Sequence, residues 1–265
     1  MLEIDAVGLT YGTGAASFTV LKDLSFTVGD GEFVSVVGPS GSGKTTLLRC
    51  LSGLLPVTTG AVRLQGTKVT GPPTSMALVF QDYSRSLMPW LTVRRNVEFP
   101  LKSSKPRRRD ADAAVERAIN AVGLTTAVNK YPWQLSGGMQ QRVAIARALA
   151  YQPSVLVMDE PFASVDAQTR FELEDLLLSI RREFQMTVVF VTHDIDEAVY
   201  LSDRVVVMGG KPTTAKETLA IDLPDARQQD RTKDMPRFAH LRTELYRMLR
   251  ESPSTASIAT PVNSQ

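Results

Sequence analysis

The run Gly38-Pro39-Ser40-Gly41-Ser42-Gly43-Lys44-Thr45 has the glycine spacing, lysine and threonine that hold a nucleotide phosphate. Its glycines accept backbone dihedrals that a Cβ would forbid, so successive N–H groups can curl around one phosphate. A helix beginning near Lys44 turns its positive end towards the same point. Lys44 then reaches the β- and γ-phosphates, and the Thr45 hydroxyl is placed to coordinate Mg²⁺. Further along, the apolar strand Val155-Leu156-Val157-Met158 ends in Asp159 and Glu160. A carboxylate at the end of a buried strand is costly unless it meets a cation. The magnesium of a bound nucleotide supplies one to Asp159, through a water. An Asp-Glu pair alone is more commonly a surface charge, and only its pairing with the phosphate loop assigns it to the metal.

A second anion-binding element lies between these two. Ser136-Gly137-Gly138 precedes a helix, which again presents free N–H groups. A chain holding one ATP has no use for two such helix ends. The order of the motifs, a phosphate loop, then Leu135-Ser136-Gly137-Gly138-Met139-Gln140-Gln141-Arg142, then Asp159-Glu160 and His193, resembles the ATPase subunits of ABC transporters. That resemblance covers about residues 2–250. It implies that Glu160 is the general base that polarises the attacking water and that His193 contacts the γ-phosphate. It places Thr46 on the α-phosphate, and Gln81 on Mg²⁺ and the water. Tyr11 matches the aromatic that stacks on adenine. Ser136, Gly137 and Gly138 would contact the ATP held by an opposite subunit, giving a head-to-tail dimer, expected to be a homodimer, with two ATPs at its interface. Asp166 matches the aspartate of cross-subunit communication, although Ala163-Ser164-Val165-Asp166 departs from the family's commoner Ser-Ala-Leu-Asp.

The wording Met88-Pro89-Trp90-Leu91-Thr92-Val93, followed by Asn96-Val97, is similar to the nitrate, sulfonate and taurine group of bacterial importers. The resemblance implies ATP hydrolysis coupled to uptake of a small solute. It also implies an integral membrane permease docked at the helical subdomain and an extracytoplasmic solute-binding protein. The chain would sit peripherally on the cytoplasmic face of the inner (plasma) membrane. An exporter or lipoprotein-release ATPase of the same fold is the alternative. A soluble machine acting on nucleic acid is disfavoured, because a net charge of +2 makes no concentrated basic face. The run Lys105-Pro106-Arg107-Arg108-Arg109 reads as a solvated loop entering a helix.

These residues need a scaffold. At 265 residues the chain can bury a large core, and its apolar runs are far shorter than the ~20 residues that cross a bilayer. The chain is therefore expected to be soluble. The single cysteine, Cys50, permits no disulfide framework. Leu2–Leu9 and Phe18–Phe26 read as antiparallel strands, and Phe33–Val37 as the strand feeding the phosphate loop and a helix over Thr45–Leu54. Val115, Ala118, Ile119 and Val122 recur at helical spacing. They mark a helical subdomain at about 87–150, inserted between two halves of the core. Strands at Val155–Asp159, Thr187–Thr192 and Arg204–Met208 alternate with helices at Ala167–Phe184 and Asp196–Leu201. The expected class is α/β: a P-loop NTPase of ABC ATPase type, with a mixed, mostly parallel sheet core and an antiparallel N-terminal β subdomain. One helix around Phe238–Leu249 closes this unit of about residues 1–250, and 251–265 reads as a disordered polar tail.

Overall fold

Strand β3 (Phe33–Val37) is buried at every position, and its alternation sends side chains to opposite faces of the sheet. Phe33 and Val37 join one apolar cluster, whereas Val34 and Val36 join another. The strands β7 (Val155–Asp159) and β8 (Thr187–Val191) divide in the same way. A parallel sheet covered on both faces needs this near-continuous apolar pattern. The computed structural model describes residues 1–82, 86–104 and 108–250. The tail, Tyr83-Ser84-Arg85, and the first three residues of the basic run lie outside the described residues.

Two sheets make the scaffold. One has the order β2-β1-β4-β5, from β1 (Leu2–Tyr11), β2 (Phe18–Val28), β4 (Thr59–Leu64) and β5 (Thr67–Lys68), and is antiparallel throughout. The other has the order β10-β9-β3-β8-β7-β6, adding β6 (Met76–Val79), β9 (Arg204–Gly209) and β10 (Thr214–Ala220). It is parallel except at β10. Helix α1 (Lys44–Leu51) buries Leu47, Leu48, Cys50 and Leu51 in the same cluster as residues of both sheets. Lys22 N–H donates to Thr213 O at 2.9 Å and Thr213 N–H to Val20 O at 2.9 Å, so the backbone itself joins the two sheets.

Between β6 and β7 stand α2 (Val93–Glu98), α3 (Leu101–Ser104), α4 (Arg108–Ala121) and α5 (Gly137–Ala150). Val115, Ala118 and Ile119 are buried on one face of α4, as their spacing predicts. These helices share one apolar cluster with the main sheet, so a continuous core reaches from them to β7 and β8. Asn96, fully buried, pins the loop before α2: its Oδ1 accepts Met88 N–H at 2.8 Å and its Nδ2 donates to the carbonyls of Met88 and Leu91. On the same side of the main sheet lie α6 (Ala167–Phe184) and α7 (Ile195–Leu201), with α8 (Gln229–Lys233) and α9 (Pro236–Arg250) beyond them.

Two features of the C-terminal part were not legible beforehand. Strand β10 is mostly polar and exposed, with only Leu219 buried. As an edge strand it is held by hydrogen bonds to β9, which leave no apolar alternation to read. Helix α8, only five residues long, is likewise polar, with Thr232 its one buried residue. The two-residue strand β5 was likewise not expected, and α1 differs in boundary, beginning at Lys44 and ending at Leu51, where Gly53 (φ 70°) turns the chain away.

Phe190 is the hinge of the apolar cluster under the site, with ring centroids 5.8 Å from Phe33 and 5.5 Å from Phe162. Replacing Phe190 with Ala should lower unfolding free energy by about 3–5 kcal/mol, read from the urea midpoint at unchanged m.

Candidate functional site

The ends of β3, β8 and β7 lie in one hydrogen-bonded row. Val36 is in register with Val191, and Val191 with Asp159. The loops leaving these strands therefore start side by side. They carry the phosphate loop, His193 and the acidic pair.

Gly43 is the N-cap of α1 in a left-handed conformation (φ 77°), and a Cβ there would stand 2.9 Å from Val20 Cγ1. A residue with a side chain is thus excluded by both strain and space. The turn folds Lys44 back over the loop, where Nζ donates to Gly38 O at 2.9 Å and Pro39 O at 3.2 Å and lies 3.9 Å from Glu160 Oε1. The lysine is buried, and desolvation holds its ammonium below the usual range, opposed by the charges of Glu160 and Asp159. Pro39, Ser40 and Gly41 are exposed, and Gly38 and Ser42 are buried. A triphosphate entering here would meet a cation held by two backbone carbonyls and ready to exchange them.

Asp159 is 6% exposed and its Oδ1 has no hydrogen-bond partner among the described residues. Burial raises its carboxyl above the ordinary range, and the Thr45 hydroxyl works against that shift. A buried carboxylate oxygen without a donor, next to a threonine hydroxyl, is an all-oxygen set that suits a hard divalent cation such as magnesium. Glu160 takes a left-handed backbone conformation (φ 43°), with its N–H on Val191 O at 2.9 Å. Such a conformation in a non-glycine residue is costly and is held by its surroundings. Its Oε2 lies 3.0 Å from His193 Nδ1. Lys44, Asp159, Glu160 and His193, nominated separately from sequence, thus form one cluster.

The remaining candidates are spread over several elements. Thr46 is half-buried on α1. Gln81 is exposed just past β6, whose Val79 is in register with Met158 of β7. Tyr11 ends β1 opposite Phe18, 44% exposed. Ser136 caps α5 by accepting Met139 N–H at 3.3 Å. Among the described residues no hydrogen bond or ion pair joins Ser136, Gly137 or Gly138 to the phosphate loop. Instead Gly138 abuts α6, where an added Cβ would stand 2.3 Å from Thr169 Cγ2. Asp166 caps α6, accepting Thr169 N–H at 3.0 Å and the Thr169 hydroxyl at 2.7 Å, bonds that hold its carboxyl below the usual range.

Sequence reasoning missed the network behind His193. The Thr192 hydroxyl donates to Glu197 Oε2 at 2.6 Å and accepts Asp194 N–H at 2.9 Å. Asp194 caps α7 through Asp196 N–H and Glu197 N–H. Arg170 Nη1 donates to Asp194 Oδ2 at 3.1 Å, and its Nε stands 3.6 Å from Glu197 Oε1. The available signal was Asp194 followed three residues later by Glu197, the spacing of a helix-capping pair. Burial pushes the Glu197 carboxyl up to about 7.

The family profile described as ABC transporter matches residues 21–163. The nitrate import ATP-binding protein of Synechococcus elongatus is 44% identical over 92% of this chain and 89% of its own length. The aliphatic sulfonates import ATP-binding protein of Bacillus licheniformis is 42% identical over 83% of this chain and 84% of its own. The bicarbonate transport ATP-binding protein of Synechocystis is 41% identical over 91% and 86%. Among solved structures, a dimeric post-hydrolysis ATP-binding cassette with ADP and Pi superposes with TM-score 0.72 at 33% identity, covering 83% of this chain and 99% of that one. The cbiO1 subunit of Clostridium perfringens, part of the transporter complex cbiONQ, superposes with TM-score 0.75 at 28% identity, covering 82% and 87%.

The Glu197 shift has a stability consequence. A carboxyl raised on folding binds its proton more tightly in the native state, so its contribution is favourable at low pH and is lost as pH climbs from the unfolded value to about 7. Glu197→Gln should remove that loss, which is about 3 kcal/mol at most. Urea midpoints of the two proteins between pH 5 and 8 should diverge in favour of the variant as pH rises.

Proposed function

The chain belongs to the ABC transporter family as an ATP-hydrolysing subunit coupled to import, and we propose that the importer carries a small oxyanion or sulfonate of the nitrate, bicarbonate or alkanesulfonate class. The observation that supports this reading most is the likeness to import subunits, which runs through most of both chains.

In the proposed mechanism Lys44 exchanges the carbonyls of Gly38 and Pro39 for phosphate oxygens when ATP enters. The N–H groups of the Gly38–Thr45 loop surround the β-phosphate, Thr46 meets the α-phosphate and Tyr11 stacks on the adenine. Magnesium, held by Thr45, Asp159 and Gln81, supplies charge neutralisation on the triphosphate when bound. Glu160, oriented by His193 Nδ1, accepts the proton of the attacking water. Among the described residues no hydrogen bond or ion pair joins Ser136, Gly137 or Gly138 to their own phosphate loop, and in this reading a second, identical subunit brings them to the γ-phosphate, with Asp166 beside them. ATP favours the closed pair and ADP the open one, and this difference in affinity drives the permease.

The permease would engage the groove between β6 and the inserted helices. This cavity of about 320 Å³ is lined by Leu78, Met88, Phe99, Ala144, Ala148 and Tyr151. Among the described residues no helix is long and apolar enough to cross a membrane. The reading therefore places this subunit peripherally, on the cytoplasmic face, with a solute-binding protein on the other side.

Glu160→Gln should keep ATP affinity and lose about 100-fold or more in phosphate release, whereas Lys44→Ala should lose nucleotide binding itself. Equal turnover in Glu160→Gln and wild type would remove Glu160 from the chemistry. Purification from detergent-solubilised native membranes should recover a multi-spanning permease, and Ala148→Arg in the groove should abolish that recovery. Recovery of soluble partners alone would overturn the transport reading. A permease without any solute-binding protein would favour the exporter alternative.

A further inference from the structure

The first turn of α6 touches three parts of the site at once. Asp166 caps it, Thr169 receives Gly138 of the Ser-Gly-Gly segment, and Arg170 reaches the loop that carries His193. Residues four apart on a helix lie on one face, so Asp166 and Arg170 move as one body. On the far side, Arg170 spans two carboxylates: Asp194, which caps α7, and Glu197, which holds the Thr192 hydroxyl. Both flank His193. Arg170 Nε is buried with no hydrogen-bond acceptor among the described residues, so the guanidinium is held by charge between the two carboxylates rather than by a saturated set of bonds. A cavity of about 50 Å³ bounded by Glu160, Arg170 and His193 separates this fork from the reactive pair. The loop is thus braced by Arg170 without being packed solid.

We propose that Arg170 is a positioning residue that transmits the placement of Asp166 and Gly138 to the Glu160–His193 pair. It acts through Asp194 and Glu197, the two carboxylates it meets. When the segment carrying Asp166 shifts against a neighbouring subunit, the first turn of α6 carries Arg170 with it. Asp194 and Glu197 follow the guanidinium, and His193, fixed between Thr192 and Asp194, changes its distance to Glu160 Oε2. The proposal rests on the ATPase reading for its consequence in turnover, but not for its geometric claim. Burial already pushes the Glu197 carboxyl up, so without the guanidinium it can take up a proton rather than remain a buried unpaired charge.

The chain has two histidines, which makes the test direct. Imidazole ¹⁵N and ¹H resonances of the full chain, with and without saturating MgADP, report His193, and His240 on α9 serves as the internal reference. In Arg170→Met the His193 signals should move while those of His240 stay in place. In Arg170→Lys, which can reach one carboxylate at a time, they should move less. In steady-state assays Arg170→Met should lose about tenfold in kcat with ADP affinity within about twofold of wild type, and Arg170→Lys should recover part of that loss. Unmoved His193 signals in Arg170→Met overturn the proposal whatever happens to turnover. So does a fall of kcat and ADP affinity together with general loss of dispersed signals, which marks a residue needed only for folding. Because the imidazole readout requires no hydrolysis, an inactive wild-type protein would count against the ATPase reading and leave this proposal to be judged on His193 alone.

Discussion

Everything in the site depends on the register of three buried parallel strands. Val36, Val191 and Asp159 form one row, and neighbouring strands of a sheet lie about 4.8 Å apart. A one-residue slip in any of them would turn its side chains to the opposite face and withdraw its loop from the cluster. The slip is prevented because both faces are buried: each strand contributes alternate residues to the two apolar clusters and has no face to expose. Each fully buried Val, Leu or Phe contributes about 1.5–3 kcal/mol, so the register is held by many such contributions acting together. The chemistry occupies a few loop residues, and the placement belongs to the core.

On that foundation the site is assembled under electrostatic tension. Burial disfavours the charged forms of both Lys44 and Asp159: Glu160 and Asp159 partly compensate Lys44, whereas for Asp159 Thr45 and Lys44 oppose the shift and the Glu160 charge adds to it. Backbone carbonyls satisfy Lys44, while Asp159 Oδ1 has nothing. A polyanion with a divalent cation would relieve both, which is how unsatisfied buried groups come to mark binding sites. The cluster is also one-sided. Ser136 and Asp166 are exposed, and Gly138 beside Ser136 meets the first turn of α6 at Thr169. The related cassette solved with ADP and Pi is dimeric.

How much of this could be read from the chain alone varied with the kind of interaction. Lys44 and Asp159 stood out because chemistry places particular side chains at short spacings next to apolar strands, whereas Glu160 and His193 were singled out by the family resemblance. The helix Ala167–Phe184 was legible to the residue, since its capping aspartate and its apolar periodicity agree. Strand β10 was not, because an edge strand is defined by its neighbour's hydrogen bonds rather than by its own pattern. Arg170 was invisible for a related reason. An arginine on a helix is ordinarily solvated, and only the approach of α7 puts two carboxylates within its reach.

The sequence by itself therefore determined the alternation of strands and helices and, through the order of its motifs, the family, because local spacing and binary pattern carry that information. The tertiary structure decided how those groups meet. It set the left-handed turn at Glu160 that brings its carboxylate to His193, the contact of Gly138 with Thr169, and the fork of Arg170 onto Asp194 and Glu197. The physical reason is range. Propensities and motifs act over a few residues, whereas these contacts join segments tens of residues apart. They exist only once the strand register and the packing of α6 against α7 have brought those segments into contact.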